Sequence, residues 1–350
     1  MKVLIVRLGA MGDIVHGLPV AAALRGRFAD AQIHWLVDAR YARVLEIVPV
    51  VDRRIVISPG GMPGTPTPAP GQISFPGRRG VLQAVRAMRA ERYDAAVDLQ
   101  GLLKSAMLAR ASGAARVIGF TRRHLRERAA SLFYTERCDP GNAVHVVHKN
   151  LAVLPALGTP DGPPAFPLAE GESRARADVR AVLNGRPFAL LNPGAAWPNK
   201  RWPAERFGAL ATWLRERHGL VSVVLWGPRE ERLARAVAGT SRDAARVAPP
   251  TGLADIVALA RDARLMVSGD TGPLHLAAAV GTPIVALFGP TSPARNGPWS
   301  AADICLSRYD TCVCHYRRRC RRSQACIEEI ALQDVCAAID RRLRPVSPAS

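Results

Sequence analysis

The alternation of short apolar runs with stretches of helical spacing restricts the fold of this chain more than any other feature. Nine runs predict β-strands, near residues 2–7, 32–37, 53–57, 94–99, 115–118, 187–192, 221–226, 264–268 and 283–288. Helical spacing lies near 13–27, 40–48, 80–91, 102–111, 143–157, 171–184, 203–218, 229–238, 253–262 and 272–281. Strands that alternate with helices form parallel sheets covered by helices. The sequence therefore predicts an α/β fold made of two Rossmann-like halves.

The chain length and its helix-breaking stretches predict the domain organisation. A chain of 350 residues exceeds what one hydrophobic core usually serves, and the breaker-rich stretch 157–164 predicts a linker. We expect domains at 1–160 and 161–330, facing each other across a ligand-binding cleft. A C-terminal helix and tail, 331–350, should pack back on the N-terminal domain. The stretch 59–77, rich in Pro and Gly, predicts a mobile surface loop.

The basic balance of the chain indicates an anionic partner. Lys and Arg number 48 against 29 Asp and Glu, a net charge of +19, and lysine occurs only at positions 2, 104, 149 and 200. A GC-rich genome, a nucleic-acid partner or an anionic lipid surface and substrate would each explain this excess. We expect no nucleic-acid partner, because no signature of nucleic-acid binding is present. No apolar run approaches membrane-spanning length and none resembles a signal peptide, which predicts a cytoplasmic protein.

Residues 268–279 predict a strand, a turn and a helix that together bind an anion. Gly269 and Gly272 allow the backbone to approach a ligand closely, and Pro273 suits the first helical turn. The free N–H groups and the positive dipole end of such a helix favour a diphosphate. Asp270 or Thr271 could instead serve only as the helix N-cap.

Two further loops of the second half carry side chains suited to the same ligand. Lys200, after the strand 187–192, is a compact charge that suits a phosphate. Glu230, after the strand 221–226, could accept hydrogen bonds from ribose hydroxyls, or could be a first-turn acid favourable to the helix dipole. A phosphate cation, a ribose acceptor and an anion-binding helix start in one domain together predict a nucleoside-diphosphate site.

The first half carries a carboxylate where a Rossmann domain would bind a cofactor. Asp13 follows the first strand, the G-x-G-x-x-G spacing is absent, and a carboxylate there repels a pyrophosphate. Asp13 is either a plain N-cap or a general base at the mouth of the cleft. His16, one turn further on, either orients Asp13 or packs in the core.

Four cysteines near the C-terminus form the pattern C-x-C-x5-C-x5-C, at Cys312, Cys314, Cys320 and Cys326. In a reducing compartment these thiols either build a structural zinc or iron–sulfur site or remain free.

Several segments resemble the lipopolysaccharide heptosyltransferases of glycosyltransferase family nine, most of all the type I enzymes that add the first heptose to Kdo–lipid A. The likeness runs from residue 1 to about residue 299, and its markers are residues 11–13 with His16, 98–106, 126–134, 200–203 and 269–275.

The resemblance implies a GT-B fold, inversion at the anomeric carbon and no metal or other cofactor in catalysis. It implies ADP-L-glycero-D-manno-heptose as donor, an anionic lipid-linked acceptor of the Kdo–lipid A type, and a position at the cytoplasmic face of the inner membrane. By the same likeness, Asp13 is the catalytic base. The donor site would comprise Lys200, Glu230, Asp270, Thr271, Gly272 and His275, and the acceptor would meet Arg122, Arg123 and Arg126.

Two other functions fit the same residues. One is a family member with a different acceptor position, similar to the type II or type III enzymes. The other is a nucleotide-sugar-binding protein without catalytic activity, against which the presence of Asp13 argues.

Overall fold

The structure, a computed structural model, describes residues 1–58, 71–160 and 162–344, with the side chain of Arg78 excepted. These residues form two units, Met1–Ala169 and Glu170–Ser350, of which the last six residues lie outside the description. Each unit contains one sheet in which every described strand pair is parallel. The predicted α/β class with two Rossmann-like halves is therefore confirmed.

The first unit contains a seven-stranded sheet. Its strands are β1 (Lys2–Val6), β2 (Gln32–Asp38), β3 (Arg53–Ser58), β4 (Gln72–Pro76), β5 (Ala95–Asp98), β6 (Arg116–Phe120) and β7 (Glu136–Cys138). Its helices are α1 (Met11–Val15), α2 (Leu18–Arg27), α3 (Gly77–Ala90), α4 (Leu103–Ala111) and α5 (Val146–Leu151), with 3₁₀ turns at Ala42–Ile47, Arg122–His124, Arg128–Phe133 and Pro155–Leu157. In the strand order β4-β3-β2-β1-β5-β6-β7, the chain adds strands on one side of β1 as far as β4 and then on the other side from β5 onwards. The order, but not the strand direction, therefore reverses between β1 and β5.

The second unit contains a six-stranded sheet in the order β10-β9-β8-β11-β12-β13. Its strands are β8 (Phe188–Asn192), β9 (Val221–Val224), β10 (Ala245–Val247), β11 (Leu265–Gly269), β12 (Ile284–Phe288) and β13 (Ile304–Ser307). Its helices are α6 (Arg174–Leu183), α7 (Ala204–His218), α8 (Glu231–Gly239), α9 (Leu253–Asp262), α10 (Gly272–Ala279), α11 (Pro293–Asn296) and α12 (Leu332–Leu343), with 3₁₀ turns at Pro198–Lys200 and Cys326–Glu329. Here the order reverses between β8 and β11, and open α/β sheets bind their ligands at such a point.

The four strands that the sequence patterns missed, β4, β7, β10 and β13, are the edge strands of the two sheets. An edge strand has one hydrogen-bonded neighbour and more exposure, so it needs no continuous apolar run. Strand β4 and the first residue of α3, Gly77, lie within the predicted loop 59–77, and that prediction is wrong for residues 72–77. Residue 71 lies in a turn. The rest of the loop prediction, 59–70, lies outside the described residues.

The predicted helix 13–27 is divided into α1 and α2. Pro19 occupies the first turn of α2 and has no N–H group to continue the hydrogen bonding of α1. The division leaves α1 as a short turn that begins directly after the β1 loop and carries Asp13 in its first turn.

The observed boundary between the units falls after Ala169, nine residues beyond the predicted boundary at 160. The Ala169 N–H donates to the Ile47 carbonyl at 2.8 Å, which attaches the end of the linker region to the first unit. Helix α12 buries Val335, Ala338 and Ile339 in the core of the second unit. This helix is therefore part of the second unit and not a separate element, while its packing on the N-terminal domain stays a prediction.

Candidate active site

The carboxylate of Asp270 connects three loops at the carboxyl edge of the second sheet. Its Oδ2 lies 2.6 Å from Lys200 Nζ and accepts a hydrogen bond from Thr291 Oγ1 at 2.7 Å. Its Oδ1 lies 3.1 Å from His275 Nε2. Lys200 follows β8, Asp270 follows β11 and Thr291 follows β12. One buried side chain thus fixes the relative positions of the loops after three neighbouring strands.

The charged form of Asp270 is stabilised although the residue is buried. Burial disfavours that form, but the hydrogen bond with His275 and the positive charge of Lys200 outweigh it and hold the pKa of Asp270 well below its ordinary value. Because this pKa is lower in the folded than in the unfolded chain, the resulting stabilisation is complete above the ordinary Asp pKa of about 4. It is lost as the pH falls from there through the folded-state value.

Lys200 is held between this carboxylate and an aromatic ring. Its Nζ also donates to the Asp270 carbonyl at 3.3 Å and lies 4.6 Å from the centre of the Trp197 ring. A Cβ on Gly269 would lie 2.6 Å from the Lys200 carbonyl oxygen, so only glycine allows the two loops to approach this closely. The local sequence therefore places one ammonium group beside the start of α10.

The N-terminus of α10 lacks a side-chain cap. Thr271 occupies the N-cap position in extended conformation and makes no capping hydrogen bond to the first-turn amides. Its Oγ1 instead accepts a hydrogen bond from Asn192 Nδ2 at 2.9 Å. Gly272 is the first helical residue and Pro273 the second. The side chains of Asp270 and Thr271 therefore do not cap α10, contrary to the N-cap interpretation. The N–H groups at the helix start remain suited to binding an anion.

Glu230 is turned back towards the loop after β8. Its Oε1 lies 3.0 Å from Arg201 Nη2, and its Oε2 accepts from the Gly227 N–H at 3.2 Å. Glu230 is at the N-cap position of α8, again without a capping hydrogen bond from its side chain to that helix. Arg201 also donates through Nε to the Ala195 carbonyl at 2.9 Å. Glu230 therefore lies among the loops that carry Lys200, as the sequence predicted, and is partnered by an arginine.

In the first unit, Asp13 is fixed by a buried arginine. Its Oδ1 lies 2.6 Å from Arg7 Nη2, and its Oδ2 accepts from the Ala10 N–H at 3.1 Å. The Arg7 side chain is 5% exposed and donates through Nη1 to the Leu99 carbonyl, whereas the Asp13 side chain is 31% exposed. The carboxylate is thus held in place by Arg7 and the Ala10 N–H and is still partly exposed to solvent. It is therefore accessible to a substrate hydroxyl, which general-base catalysis requires.

His16 is buried one turn after Asp13. Its ring packs edge to face against His145, with the ring centres 5.7 Å apart, and its carbonyl accepts from Asn150 Nδ2 at 3.0 Å. These contacts show how His16 packs in the core, and its role in orienting Asp13 stays a prediction.

A second buried carboxylate, Asp98, organises the loop beside Asp13. It accepts hydrogen bonds from Tyr134 Oη at 2.7 Å, Ser105 Oγ at 2.9 Å and the N–H groups of Gln100 and Gly101 at 2.9 and 3.1 Å. Burial raises the pKa of Asp98, against the effect of these four donors. The Tyr134 ring reaches Asp98 because Gly119 has no side chain, since a Cβ there would lie 2.3 Å from the ring.

The three predicted acceptor arginines differ in their partners. Arg123 Nη2 lies 2.5 Å from Asp139 Oδ2, whereas no ion pair involves Arg122 or Arg126 within the described part of the chain. All three side chains are exposed. The segment that carries these arginines contacts the loop after β5 through Leu125, whose side chain lies against Gly101. In that loop, the Gln100 side chain accepts a hydrogen bond from the Leu8 N–H at 2.7 Å, which links it to the loop that leads to Asp13.

Three of the four cysteines come together in the second unit. The Sγ atoms of Cys312, Cys314 and Cys326 are buried and lie within 4.8 Å of one another, and Cys320 packs against them. The structure thus brings together three thiols for which the sequence pattern left two possibilities, metal binding or free thiols.

The sequence analysis gave no role to several residues that position the predicted ones, namely Arg7, Asn192, Thr291, Asp98 and Tyr134, although Asp98 and Tyr134 lie in the marker segments 98–106 and 126–134. Arg7 and Thr291 follow buried strands, so their place at the carboxyl end of a strand was an available signal. The contact of Tyr134 with Asp98 had no such signal, because it depends on a glycine in a neighbouring strand.

Two parallel α/β units, each with ligand-binding loops at the carboxyl edge of its sheet, are the architecture of the GT-B fold found in one class of glycosyltransferases. The structure is similar to that of E. coli heptosyltransferase WaaC with ADP, with a TM-score of 0.75 at 23% identity, covering 98% of this chain and 100% of that one. The family model Glycosyltransferase family 9 (heptosyltransferase) matches residues 81–325. The chain therefore belongs to glycosyltransferase family 9, and the predicted family, enzyme class and GT-B fold are confirmed.

Curated relatives of more than one type match most of the chain. Lipopolysaccharide heptosyltransferase 1 of Pseudomonas aeruginosa is 29% identical over 335 residues, covering 91% of this chain and 87% of the relative. Lipopolysaccharide heptosyltransferase 3 of Escherichia coli K12 is 27% identical over 348 residues, covering 97% of each. The matches therefore show that the chain belongs to the heptosyltransferase family, and they do not distinguish between the types within it. Among the described residues, no helix combines the length and apolarity needed to cross a membrane.

We predict that Asp270→Asn lowers the free energy of unfolding of the second unit by about 3–5 kcal/mol, because it leaves the largely buried Lys200 ammonium without a counter-charge. Urea unfolding followed by tryptophan fluorescence measures this, since five of the six tryptophans lie in that unit. The loss should be constant between pH 7 and about pH 5 and should diminish only below the ordinary Asp pKa of about 4.

The matched control is Glu231→Gln, which removes an exposed i,i+4 pair with Arg235 on α8. This change should cost less than about 0.5 kcal/mol. Equal urea midpoints for the two variants would contradict the structural role of Asp270.

Proposed function

We propose that the protein transfers heptose from ADP-L-glycero-D-manno-heptose, with inversion, to a Kdo–lipid A type acceptor at the cytoplasmic face of the inner membrane. The observation that carries the proposal is the arrangement of Lys200, Glu230 and the uncapped start of α10 at the point where the second sheet reverses its strand order. Family membership supplies the sugar, since the relatives are named heptosyltransferases and a structural neighbour was solved with ADP.

The donor site follows from the charges of the second unit. The Gly272 N–H and the positive dipole end of α10 would receive the diphosphate, and Lys200 would contribute its ammonium charge beside them. Asp270 would serve as a positioning residue rather than a ligand, because both of its oxygens are engaged by Lys200, Thr291 and His275. Glu230 would accept from ribose hydroxyls on the side of its carboxylate that Arg201 does not cover.

The transfer step needs one base and one stabilised leaving group. Asp13 would take the proton of the acceptor hydroxyl as its oxygen forms a bond to the anomeric carbon. The bond from that carbon to the ADP oxygen breaks on the opposite face, and ADP leaves with the electron pair. Charge that grows on the diphosphate would be stabilised by Lys200 and the α10 amides, so this scheme needs no metal or other cofactor.

The acceptor side of the proposal rests on arginines that have no ion-pair partner among the described residues and that lie beside exposed apolar side chains. Arg122 and Arg126 are exposed, and the 3₁₀ turn that follows them carries Leu132, which is 78% exposed. This turn packs against α4, where Met107 is 50% exposed. Arginine forks suit phosphates and carboxylates, and exposed apolar side chains suit acyl chains. Such a surface fits an anionic lipid at a membrane.

A second candidate, transfer to a different acceptor position, is favoured by the E. coli type 3 relative, which covers 97% of this chain. Incubation with ADP-heptose and Kdo–lipid A, followed by mass spectrometry, distinguishes the two. A mass gain of one heptose on Kdo–lipid A supports the proposal. Product that forms only when the acceptor already carries heptose supports the second candidate, and ADP-heptose binding without product on either acceptor indicates a catalytically silent protein.

We expect Asp13→Asn to lower kcat by about two to four orders of magnitude, because the amide keeps the size of the side chain but cannot accept the proton. Affinity for ADP, measured by calorimetry, should be unchanged. Asp30→Asn, an exposed aspartate in the same unit, is the matched control and should keep full activity. Transfer by Asp13→Asn at the wild-type rate would remove Asp13 from the mechanism.

Lys200→Met should weaken ADP binding by about tenfold or more, because a charge-assisted contact to phosphate is lost. Binding of adenosine should change little, since adenosine carries no phosphate. The comparison of the two ligands separates a lost phosphate contact from a general distortion of the site. An equal loss of affinity for ADP and adenosine would contradict the role given to the Lys200 charge.

The double change Arg122→Gln/Arg126→Gln should raise the acceptor KM by about tenfold and leave ADP affinity unchanged. Higher salt should raise the acceptor KM of the wild type in the same direction. Arg86→Gln/Arg92→Gln removes the same charge from exposed positions elsewhere in the first unit and controls for net charge. If both doubles raise KM equally, the acceptor recognises overall charge and not this segment.

A further inference from the structure

The second unit contains a long irregular segment whose interior is made of thiols. Residues 308–325 contain no helix or strand. Their buried cluster comprises Cys312 and Cys314 with Cys326 just beyond, and Cys320 packs against it as the one partly buried neighbour within the described residues. Irregular segments of this length are uncommon in compact domains. Because three thiols bury little apolar surface, hydrophobic packing alone is a poor explanation for the order of this segment.

We propose that Cys312, Cys314, Cys320 and Cys326 bind one structural zinc ion. The Cys312 Sγ lies 3.4 Å from Cys314 Sγ and 3.1 Å from Cys326 Sγ. Four thiolates around one zinc ion at about 2.3 Å lie roughly 3.8 Å from one another, close to these separations. The cysteines of an iron–sulfur cluster are divided among two or four iron atoms, so three of them do not all lie as close together as these three do, and the observed spacing favours a single ion.

The charge of the surrounding chain is complementary to such a site. A zinc ion with four thiolates carries a formal charge of −2. Residues 315–325 contain no acidic side chain and five arginines, Arg317, Arg318, Arg319, Arg321 and Arg322. Of these, Arg322 pairs with Glu329. The remaining positive charge offsets the charge of the metal site.

Donors to the sulfur atoms are already in place. The Cys314 N–H donates to Cys312 Sγ at 3.4 Å, and Asn199 Nδ2 donates to Cys314 Sγ at 3.6 Å. Hydrogen-bonding partners of this kind orient metal ligands and adjust their basicity. His315 Nε2 lies 2.7 Å from the Tyr309 carbonyl and the ring stacks on Tyr309, so this nitrogen is engaged away from the sulfur atoms.

The site would also brace the turn Pro198–Lys200. Asn199 directly precedes Lys200 and donates to the Arg317 carbonyl at 2.9 Å as well as to Cys314 Sγ. Trp202 Nε1 continues the attachment by donating to the Ile330 carbonyl at 2.9 Å. Zinc bound to the cysteine segment would therefore restrict the motion of this turn through the contacts of Asn199. This contact gives the metal a structural task without any part in group transfer.

The first test is metal content of the full chain purified in a thiol reductant without added metal. Elemental analysis should give about one zinc per chain. After exchange for cobalt(II), visible absorption should show the intense bands of a tetrahedral thiolate site. A brown iron–sulfur chromophore, or full reduced thiol content with no bound metal, would overturn the proposal. So would a Cys312–Cys326 disulfide, detected by alkylation of the unreduced, denatured chain.

Two single variants test the ligand set. Cys320→Ser should weaken zinc affinity by about tenfold or more, and the fold should survive because this side chain is partly exposed. Cys336→Ser, at a half-buried cysteine on α12 outside the cluster, is the matched control and should keep one zinc. Equal zinc affinity in both variants would overturn the assignment of Cys320.

Hydrogen exchange of the wild type with and without chelator tests the bracing role. Zinc removal should increase exchange in residues 198–202 and 308–330, while β8 and β11 remain protected. Unchanged exchange at 198–202, or an increase throughout the unit, would overturn the inferred link to the Lys200 turn.

Discussion

The organisation of the second unit depends on the buried carboxylate of Asp270. It joins Lys200, Thr291 and His275, which come from three different segments, and so converts separate loops into one rigid edge. Burying a charge is costly unless partners compensate it, and here a cation and two hydrogen-bonding groups do so. The helix start of α10 is positioned by the same contacts, because Asp270 directly precedes the N-cap residue. Removing this interaction would release the lysine and the loops together.

The first unit uses an equivalent arrangement. Asp98 ends β5 and Asp270 follows β11, and each of these strands is the neighbour across which its sheet reverses order. The partners differ in charge. Asp98 receives neutral donors, and its pKa is raised by burial, whereas Asp270 faces a cation and its pKa is lowered. The first arrangement therefore shapes a loop beside Asp13 through neutral donors, and the second holds the Lys200 ammonium beside the start of α10 as a paired cation.

How far the sequence predicts this structure depends on burial. The nine inner strands were predicted because strands buried on both faces are continuous apolar runs, and the four edge strands were missed because they are not. Asp13, Lys200 and Asp270 were found from their places after strands. The pairing of Lys200 with Asp270 was not predicted, because it joins residues 70 positions apart. Arg7 escaped notice because a single arginine at a strand end does not reveal that it is buried beneath a carboxylate.

Cations that pair with a carboxylate position other groups, whereas cations without such a partner are available to a ligand. Arg7, Arg201 and Lys200 are each paired with a carboxylate, so each contributes little net charge. An incoming diphosphate in the second unit would therefore be held mainly by oriented N–H groups, with Lys200 as a directed donor and not as an uncompensated charge. Arg122 and Arg126 have no carboxylate partner in the described chain and retain their full charge. This difference agrees with a narrow, geometrically defined donor site and a broader, electrostatic acceptor surface, whose affinity would depend more strongly on salt.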